Sequence, residues 1–251
     1  MKVQGIGPKK AVKLQEGLGI KSVKQLEKAA KKHKIAGLDT FREKTEENIL
    51  EGIKFMKKGK GRLLLASALI VSRDIEKRLG SLKEVRKVVT AGSVRRREET
   101  IRDIDLVVVS SNNKKVVDFF TKMPIVKRVL ARGQTKAVII TKDNVQVDIR
   151  IVKPESFGSA LQYFTGNKAH NIHLRKIAIK KGLKLSEYGL FKGKKVVVKS
   201  EKDAHRKLAI AGKTEEGIYN NLGMQYIPPE LRTEKGEIEA AQKKYRNKLG
   251  V

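Results

Sequence analysis

Two short segments constrain this chain more than any other part of it: Arg-Asp-Ile-Asp-Leu-Val-Val-Val at 102–109 and Val-Gln-Val-Asp-Ile-Arg-Ile-Val at 145–152. Both alternate as half-buried β-strands do, with neighbouring side chains on opposite faces. In the first, Asp103 and Asp105 share a face while Ile104, Leu106 and Val108 point into a core. In the second, Val145, Val147, Ile149 and Ile151 form the apolar face and leave Gln146, Asp148 and Arg150 on the other.

If the two strands are neighbours, three carboxylates converge. Like charges crowded this way raise one another's pKa unless a cation neutralises them. Hard oxygen donors of this kind suit Mg²⁺ or Mn²⁺. An alternating strand ordinarily sends its acids into water, so the aspartates alone would not make a site. What gives them meaning is Ala91-Gly92-Ser93-Val94-Arg95-Arg96 just upstream. Gly92 permits a tight turn, and a helix start after it offers free N–H groups to an anion. Ser93 adds a hydroxyl donor, and Arg96 can fork onto phosphate oxygens. A Gly-Ser turn ten residues before an Asp-x-Asp strand, with a third Asp on a later strand, describes a nucleotidyltransferase palm.

The charge balance points to the same class of partner. The 251 residues carry a net charge of +30, with 57 basic against 27 acidic side chains. The excess is no tail, because residues 1–62, 63–153 and 154–251 each contribute +10 to it. So basic a surface binds a polyanion without sequence recognition. Thermophile-type ion-pair networks would need a more even balance. The absence of cysteine excludes a disulfide framework and a thiolate-held zinc site, and is compatible with a reducing cytosol. No apolar stretch is long enough to span a membrane, and residues 1–20 lack the apolar core of a signal peptide.

Residues up to about 60 read as helical, with Pro8 at a first helical position, an apolar repeat in Val23, Leu26 and Ala30, and a polar helix near 41–57. A basic hinge is expected at 57–62, then a helix over 63–79. Strands are expected at 86–91, 103–110, 136–141 and 145–152, and helices at 113–121 and 169–181.

Gly5-Ile6-Gly7-Pro8-Lys9-Lys10-Ala11 is a second candidate site. Two glycines allow close backbone approach, Pro8 starts a helix, and exposed N–H groups sit beside Lys9 and Lys10, a clamp for a nucleic-acid backbone. It resembles the hairpin of a helix-hairpin-helix motif, although an ordinary Gly-Pro turn looks much the same locally. A third constellation is Phe157-Gly158-Ser159-Ala160-Leu161-Gln162-Tyr163-Phe164-Thr165-Gly166, trailed by Asn171 and Arg175.

Gly-Ser-x-Arg-Arg, Asp-x-Asp, the later Asp-x-Arg, Tyr-Phe-Thr-Gly, Glu187-Tyr188-Gly189-Leu190-Phe191 and Tyr226-Ile227-Pro228-Pro229-Glu230-Leu231-Arg232 follow one another in a known order. The chain resembles the family X DNA polymerases, closest to their bacterial and archaeal branch, from Gly5 to about Ala241.

The resemblance implies that Asp103 and Asp105 bind two metal ions, Mg²⁺ or Mn²⁺. Asp148 would join the catalytic ion and take the proton of the primer 3′-hydroxyl. Ser93, Arg96 and the backbone at Gly92 would hold the outer phosphates of the incoming nucleotide. Tyr163 and Phe164 would lie against its sugar, with Gly166 giving close approach. Asn171 would meet the minor-groove edge of the base, and Arg175 the template strand. Gly5, Gly7, Lys9, Lys10 and Arg150 complete the expected DNA contacts, with a monovalent cation at the hairpin.

Some positions depart from the beta-type members. Arg97 stands where the family commonly has Gly, Gln146 where it has a basic residue, and Lys168 where it has an acid or neutral one. The amino-terminal lyase and carboxy-terminal phosphoesterase domains of other members are not expected here, in keeping with a natural minimal polymerase or an excised core.

The fold expected is α+β: a helical helix-hairpin-helix subdomain at 1–62, a catalytic nucleotidyltransferase palm of mixed sheet at 63–153, and a small α+β nucleotide-selecting subdomain at 154–251. The expected function is template-directed addition of deoxynucleotides to a primer in short-gap repair. The partners are primer-template or gapped DNA and deoxynucleoside triphosphates, and the protein is a cytoplasmic, nucleoid-associated monomer. Template-independent terminal transfer and a non-catalytic DNA-binding module are the alternatives, the latter disfavoured because a pure binder gains nothing from carboxylates facing DNA.

Overall fold

The computed structural model describes residues 6–38, 41–57, 62–193, 197–198, 200, 203 and 209–249. Gly5 of the hairpin motif and most of the 57–62 hinge lie outside them. The chain divides into two compact units, Met1–Arg62 and Leu63–Val251.

The first unit holds α1 (Pro8–Leu18), α2 (Val23–Lys31) and α3 (Glu43–Lys57). Pro8 opens α1 directly after Gly7, where its missing N–H costs nothing. Gly19 ends that helix at φ 63°, a conformation that favours glycine. Ser22 and Gln25 form a reciprocal capping box at the start of α2. Leu14, Ile20, Leu26, Ala30, Ile35, Phe41, Ile49 and Ile53 make the core. The buried Glu46 carboxylate accepts from the Ile35 N–H at 3.0 Å and from His33 Nδ1 at 2.9 Å.

The second unit is built on a five-stranded sheet. Its strands are β2 (Val85–Thr90), β4 (Asp103–Ser110), β5 (Val126–Arg132), β6 (Lys136–Thr141) and β7 (Gln146–Val152), ordered β2-β4-β7-β6-β5. β4 and β7 run parallel and the other pairs antiparallel, so the sheet is mixed. Ahead of it a two-residue strand β1 (Leu63–Leu64) pairs with β3 (Thr100–Ile101) and leads into α4 (Leu65–Gly80). The short α5 (Gly92–Arg95) follows β2, and α6 (Asn113–Thr121) follows β4.

One sheet face, with Ile104, Leu106, Val108, Val147, Ile149 and Ile151, packs with α4 and α6 residues such as Ile75, Leu79 and Phe120. The other face is not simply polar. Past the aspartates, Val107, Val109 and Val152 pack against Phe157, Ala160 and Leu161 of α7 (Phe157–Thr165). Both faces of the sheet are therefore buried at one end, and the carboxylates sit at the other.

Beyond the sheet come α8 (Lys168–Lys180), the hairpin β8 (Leu183–Ser186) and β9 (Gly189–Lys192), α9 (Glu215–Asn221) and α10 (Glu237–Leu249). Leu174, Leu185, Leu190, Ile218, Tyr219, Met224 and Ile238 form their common core.

The expected strands and helices lie within two residues of those observed. β5 was not anticipated, because register shifts at Val126/Arg128 and Val129/Ala131 interrupt the alternation that would reveal it.

Candidate active site

The site begins with strand register. Asp105 lies directly opposite Asp148 across the parallel β4–β7 pair, and Asp103 opposite Gln146. The Gly-Ser turn is tied to the same strand by the Ala91 N–H, which donates to the Asp105 carbonyl at 2.7 Å. Gly92 has φ 60°, and a Cβ there would collide with the Asp105 carboxylate. Only glycine fits both demands.

Crowding shows in the electrostatics. Burial, then the charges of Asp103 and Asp148, push Asp105 up to about 7, although Lys136 and Arg96 pull the other way. Burial also raises Asp148, against a hydrogen bond from Gln146 and the charge of Lys136. Gln146 Nε2 donates to Asp148 Oδ2 at 2.5 Å, and Lys136 Nζ lies 3.4 Å from Oδ1. Arg102 Nη2 is 3.1 Å from Asp103 Oδ2. Three hard carboxylates, with the ionised forms of Asp105 and Asp148 disfavoured, are a donor set that fits divalent cations. Elsewhere among the described residues, ligand atoms of His170, Glu234 and Glu237 lie within 4.8 Å of one another.

Two adjoining cavities meet at Asp105. One, of about 450 Å³, is lined by Gly92, Ser93, Arg96, Asp103, Asp105, Tyr163, Phe164, Thr165, Gly166, Asn167, Lys168, Asn171 and Arg175. It gathers every residue expected to touch the nucleotide, together with Arg175. The other, of about 240 Å³, takes in Asp105, Lys136, Asp148, Arg150, Tyr163, Phe164 and Glu187. Asp148 and Arg150 thus open onto a separate recess from the rest.

Several side chains already have partners within the chain. Arg96 Nη1 donates to the Thr165 carbonyl at 2.5 Å, and its Nε and Nη2 hold Glu98 at 3.2 and 3.1 Å. Asn171 accepts from Gln162 Nε2 at 2.6 Å and donates to the Tyr163 carbonyl at 2.7 Å, which orients the amide and leaves one N–H and one lone pair for a base. Arg175 Nε donates to the Asn171 carbonyl at 3.2 Å, and its guanidinium lies 5.9 Å from the centre of the Tyr163 ring. Arg150 is ion-paired with Glu187 and stands 5.7 Å from the Phe164 ring centre. The remaining candidates lie in the other unit. Gly7 and Lys9 are exposed and Lys10 half-buried at the start of α1.

Sequence reasoning did not single out Lys136 or Glu215, and named Glu187 only as part of a motif, with no role. Lys136 leads β6, which places it one strand away from the carboxylate it pairs with. Glu215 is the centre of a buried network. It accepts from Arg95 Nη1 at 3.0 Å and Nη2 at 2.5 Å, and from Arg232 Nη1 at 2.8 Å. Arg95 Nη1 also donates to Thr165 Oγ1 at 2.7 Å. Of the twin arginines, Arg95 therefore links the Gly-Ser turn to α7 and α9, while Arg96 lines the cleft. The paired arginines in the sequence were the available signal; their division of labour was not.

A mixed palm sheet with clustered aspartates, a Gly-Ser turn beside them and a following α+β layer define a polymerase-type nucleotidyltransferase core. Comparison with known proteins agrees. Residues 160–233 match the family model for the DNA polymerase beta thumb. The chain is 33% identical over 241 residues to the DNA polymerase/3′-5′ exonuclease PolX of Bacillus subtilis, covering 95% of this chain and 40% of that protein. It is 28% identical over 153 residues to the Repair DNA polymerase X of African swine fever virus, covering 59% of this chain and 82% of that one. Among solved structures, Leishmania infantum polymerase beta in a ternary P/T complex superposes with TM-score 0.69 at 22% identity, over 92% of this chain and 95% of that one. These likenesses support a core of the family X DNA polymerase type, and the chain spans two-fifths of the length of the Bacillus relative.

Proposed function

We propose that this chain extends a primer 3′-hydroxyl by template-directed addition of deoxynucleotides, filling short gaps in DNA repair. The observation that carries the reading is the register of Asp105 against Asp148, with Asp103 beside them at the edge of the 450 Å³ cleft. The names of the viral and bacterial relatives support the same activity.

Asp103, Asp105 and Asp148 would hold two divalent ions, Mg²⁺ or Mn²⁺, which when bound would stabilise the attacking and leaving oxygens of an in-line displacement. Asp148 Oδ1 or Oδ2 takes the proton of the primer hydroxyl. The Gly92 backbone, the Ser93 hydroxyl and Arg96 hold the triphosphate, Arg96 exchanging its internal partners for phosphate oxygens. Tyr163 and Phe164 pack against the sugar, and Gly166 lets the backbone come close. Asn171 reads pair geometry at the minor-groove edge, where donor and acceptor patterns are nearly sequence-independent. Arg150 and Arg175 face the DNA, and Gly7, Lys9 and Lys10 grip its backbone in the first unit, with a monovalent cation at the hairpin.

Primer extension with and without template tests the reading. Template-dependent addition that Asp148→Ala lowers by about 100-fold or more, with DNA binding unchanged, is expected. Extension at wild-type rate by that variant would remove Asp148 from the chemistry. Equal addition without template would make the chain a terminal transferase, and no addition at all a binding module.

A further inference from the structure

Away from the cleft, two of the four histidines in the chain meet three glutamates. His170 and His173 are three residues apart on α8 and so share a helical face. Opposite them, the turn into α10 supplies Glu234, Glu237 and Glu239.

His170 Nδ1 lies 2.8 Å from Glu237 Oε1, and His173 Nδ1 lies 2.7 Å from Glu234 Oε1. His173 Nε2 stands 3.9 Å from Glu239 Oε1. Ligand atoms of His170, Glu234 and Glu237 all fall within 4.8 Å of one another. His170 is fully buried, and its second nitrogen is held by the Tyr219 hydroxyl at 2.9 Å. A ring held by a hydrogen bond at one nitrogen, so that the other is directed at the ligand site, is how metal-binding histidines are oriented.

Imidazole and carboxylate together suit a borderline ion better than Mg²⁺, which prefers oxygen alone. The ordinary alternative is a pair of His–Glu hydrogen bonds stapling two helices. Each ring does have one such carboxylate, and Glu237 also accepts from the Glu234 and Lys235 N–H groups at 2.9 and 2.8 Å. What a pair of staples does not call for is a ligand oxygen of Glu234 within 4.8 Å of those of His170 and Glu237, so that three donors can close on one ion.

We propose that His170, Glu234 and Glu237, with His173 at the rim, form a binding site for a divalent transition-metal ion of the Zn²⁺ class. Binding displaces the Nδ1 proton of His170 to solvent and joins α8 to the start of α10. The site is independent of the aspartates and of the proposed polymerase reaction.

Zn²⁺ titrated calorimetrically into the intact chain in excess Mg²⁺, with thermal denaturation alongside, tests this. Saturable uptake of a single Zn²⁺ per chain and a raised Tm are expected. Glu234→Gln, at an exposed position, and Glu237→Gln should each weaken uptake about tenfold or more. Asp103→Asn combined with Asp105→Asn should leave it unchanged. Circular dichroism confirms that each variant is folded. Absence of saturable uptake, uptake that survives both glutamate changes, or uptake lost with the aspartates would overturn the proposal.

Discussion

Asp105 and Asp148 face each other across adjacent parallel strands, one in β4 and one in β7, although 43 positions separate them in the chain. Their proximity and burial push Asp105 from 3.8 up to about 7. An acid whose folded pKa lies above its unfolded one favours the fold while protonated, and that contribution is lost as pH rises from about 4 through about 7. In chelator, wild-type protein should therefore lose stability relative to Asp105→Asn across this window. Adding Mg²⁺ at the upper end should restore it. Thermal denaturation of the two proteins checks this; a pH-independent difference between them would mean that Asp105 titrates normally.

Arg96 should matter to the nucleotide more than to DNA. Its guanidinium lines the cleft and is held on the Thr165 carbonyl and Glu98, so it is already positioned before any phosphate arrives. Arg96→Ala should raise the KM for nucleotide at least about tenfold, the cost of a charge-assisted contact, while the Kd for DNA changes little. Equal damage to both would reassign Arg96 to the DNA backbone.

Glu215→Gln should be among the most destabilising single changes in the second unit. Burial alone would raise the Glu215 pKa, but Arg95 and Arg232 overcome it and hold the group below the ordinary carboxylate range. Removing the charge leaves two guanidiniums, one of them fully buried, without their counterion. A loss of about 3–5 kcal/mol is expected in urea denaturation. The exposed neighbour Glu216→Gln should stay within about 0.5 kcal/mol of wild type.

Arg97 has φ 60°, so an arginine occupies backbone that favours glycine. Arg97→Gly should stabilise the protein by about 0.5–1 kcal/mol, strain relief outweighing the entropy gained by the unfolded chain. A lower urea midpoint in the variant would show that the arginine side chain compensates for its own backbone.

Replacing Lys9 and Lys10 together by Ala should flatten the dependence of DNA affinity on salt. Each phosphate contact adds about 0.9 to the slope of log K against log salt on duplex DNA, so a fall of about 2 is expected for the pair. An unchanged slope would reduce the start of α1 to a structural turn.

The local content of the site was legible before any fold was known. Period-two alternation marked Asp103, Asp105 and Asp148 as strand residues on polar faces, and Gly92 as a turn, because such patterns depend only on near neighbours. The same reasoning passed over β5, whose register shifts break the alternation, and gave no hint that Val107 and Val109 would be covered by α7. What only the tertiary structure decided is which distant groups meet. Parallel pairing sets Asp105 opposite Asp148 through a long crossover, and β6 then brings Lys136 against Asp148 from the next strand. Arg95 finds Glu215 across 120 residues, leaving Arg96 to the cleft. Strand register and buried ion pairing are settled by how whole faces pack together, and no local period in the sequence records them.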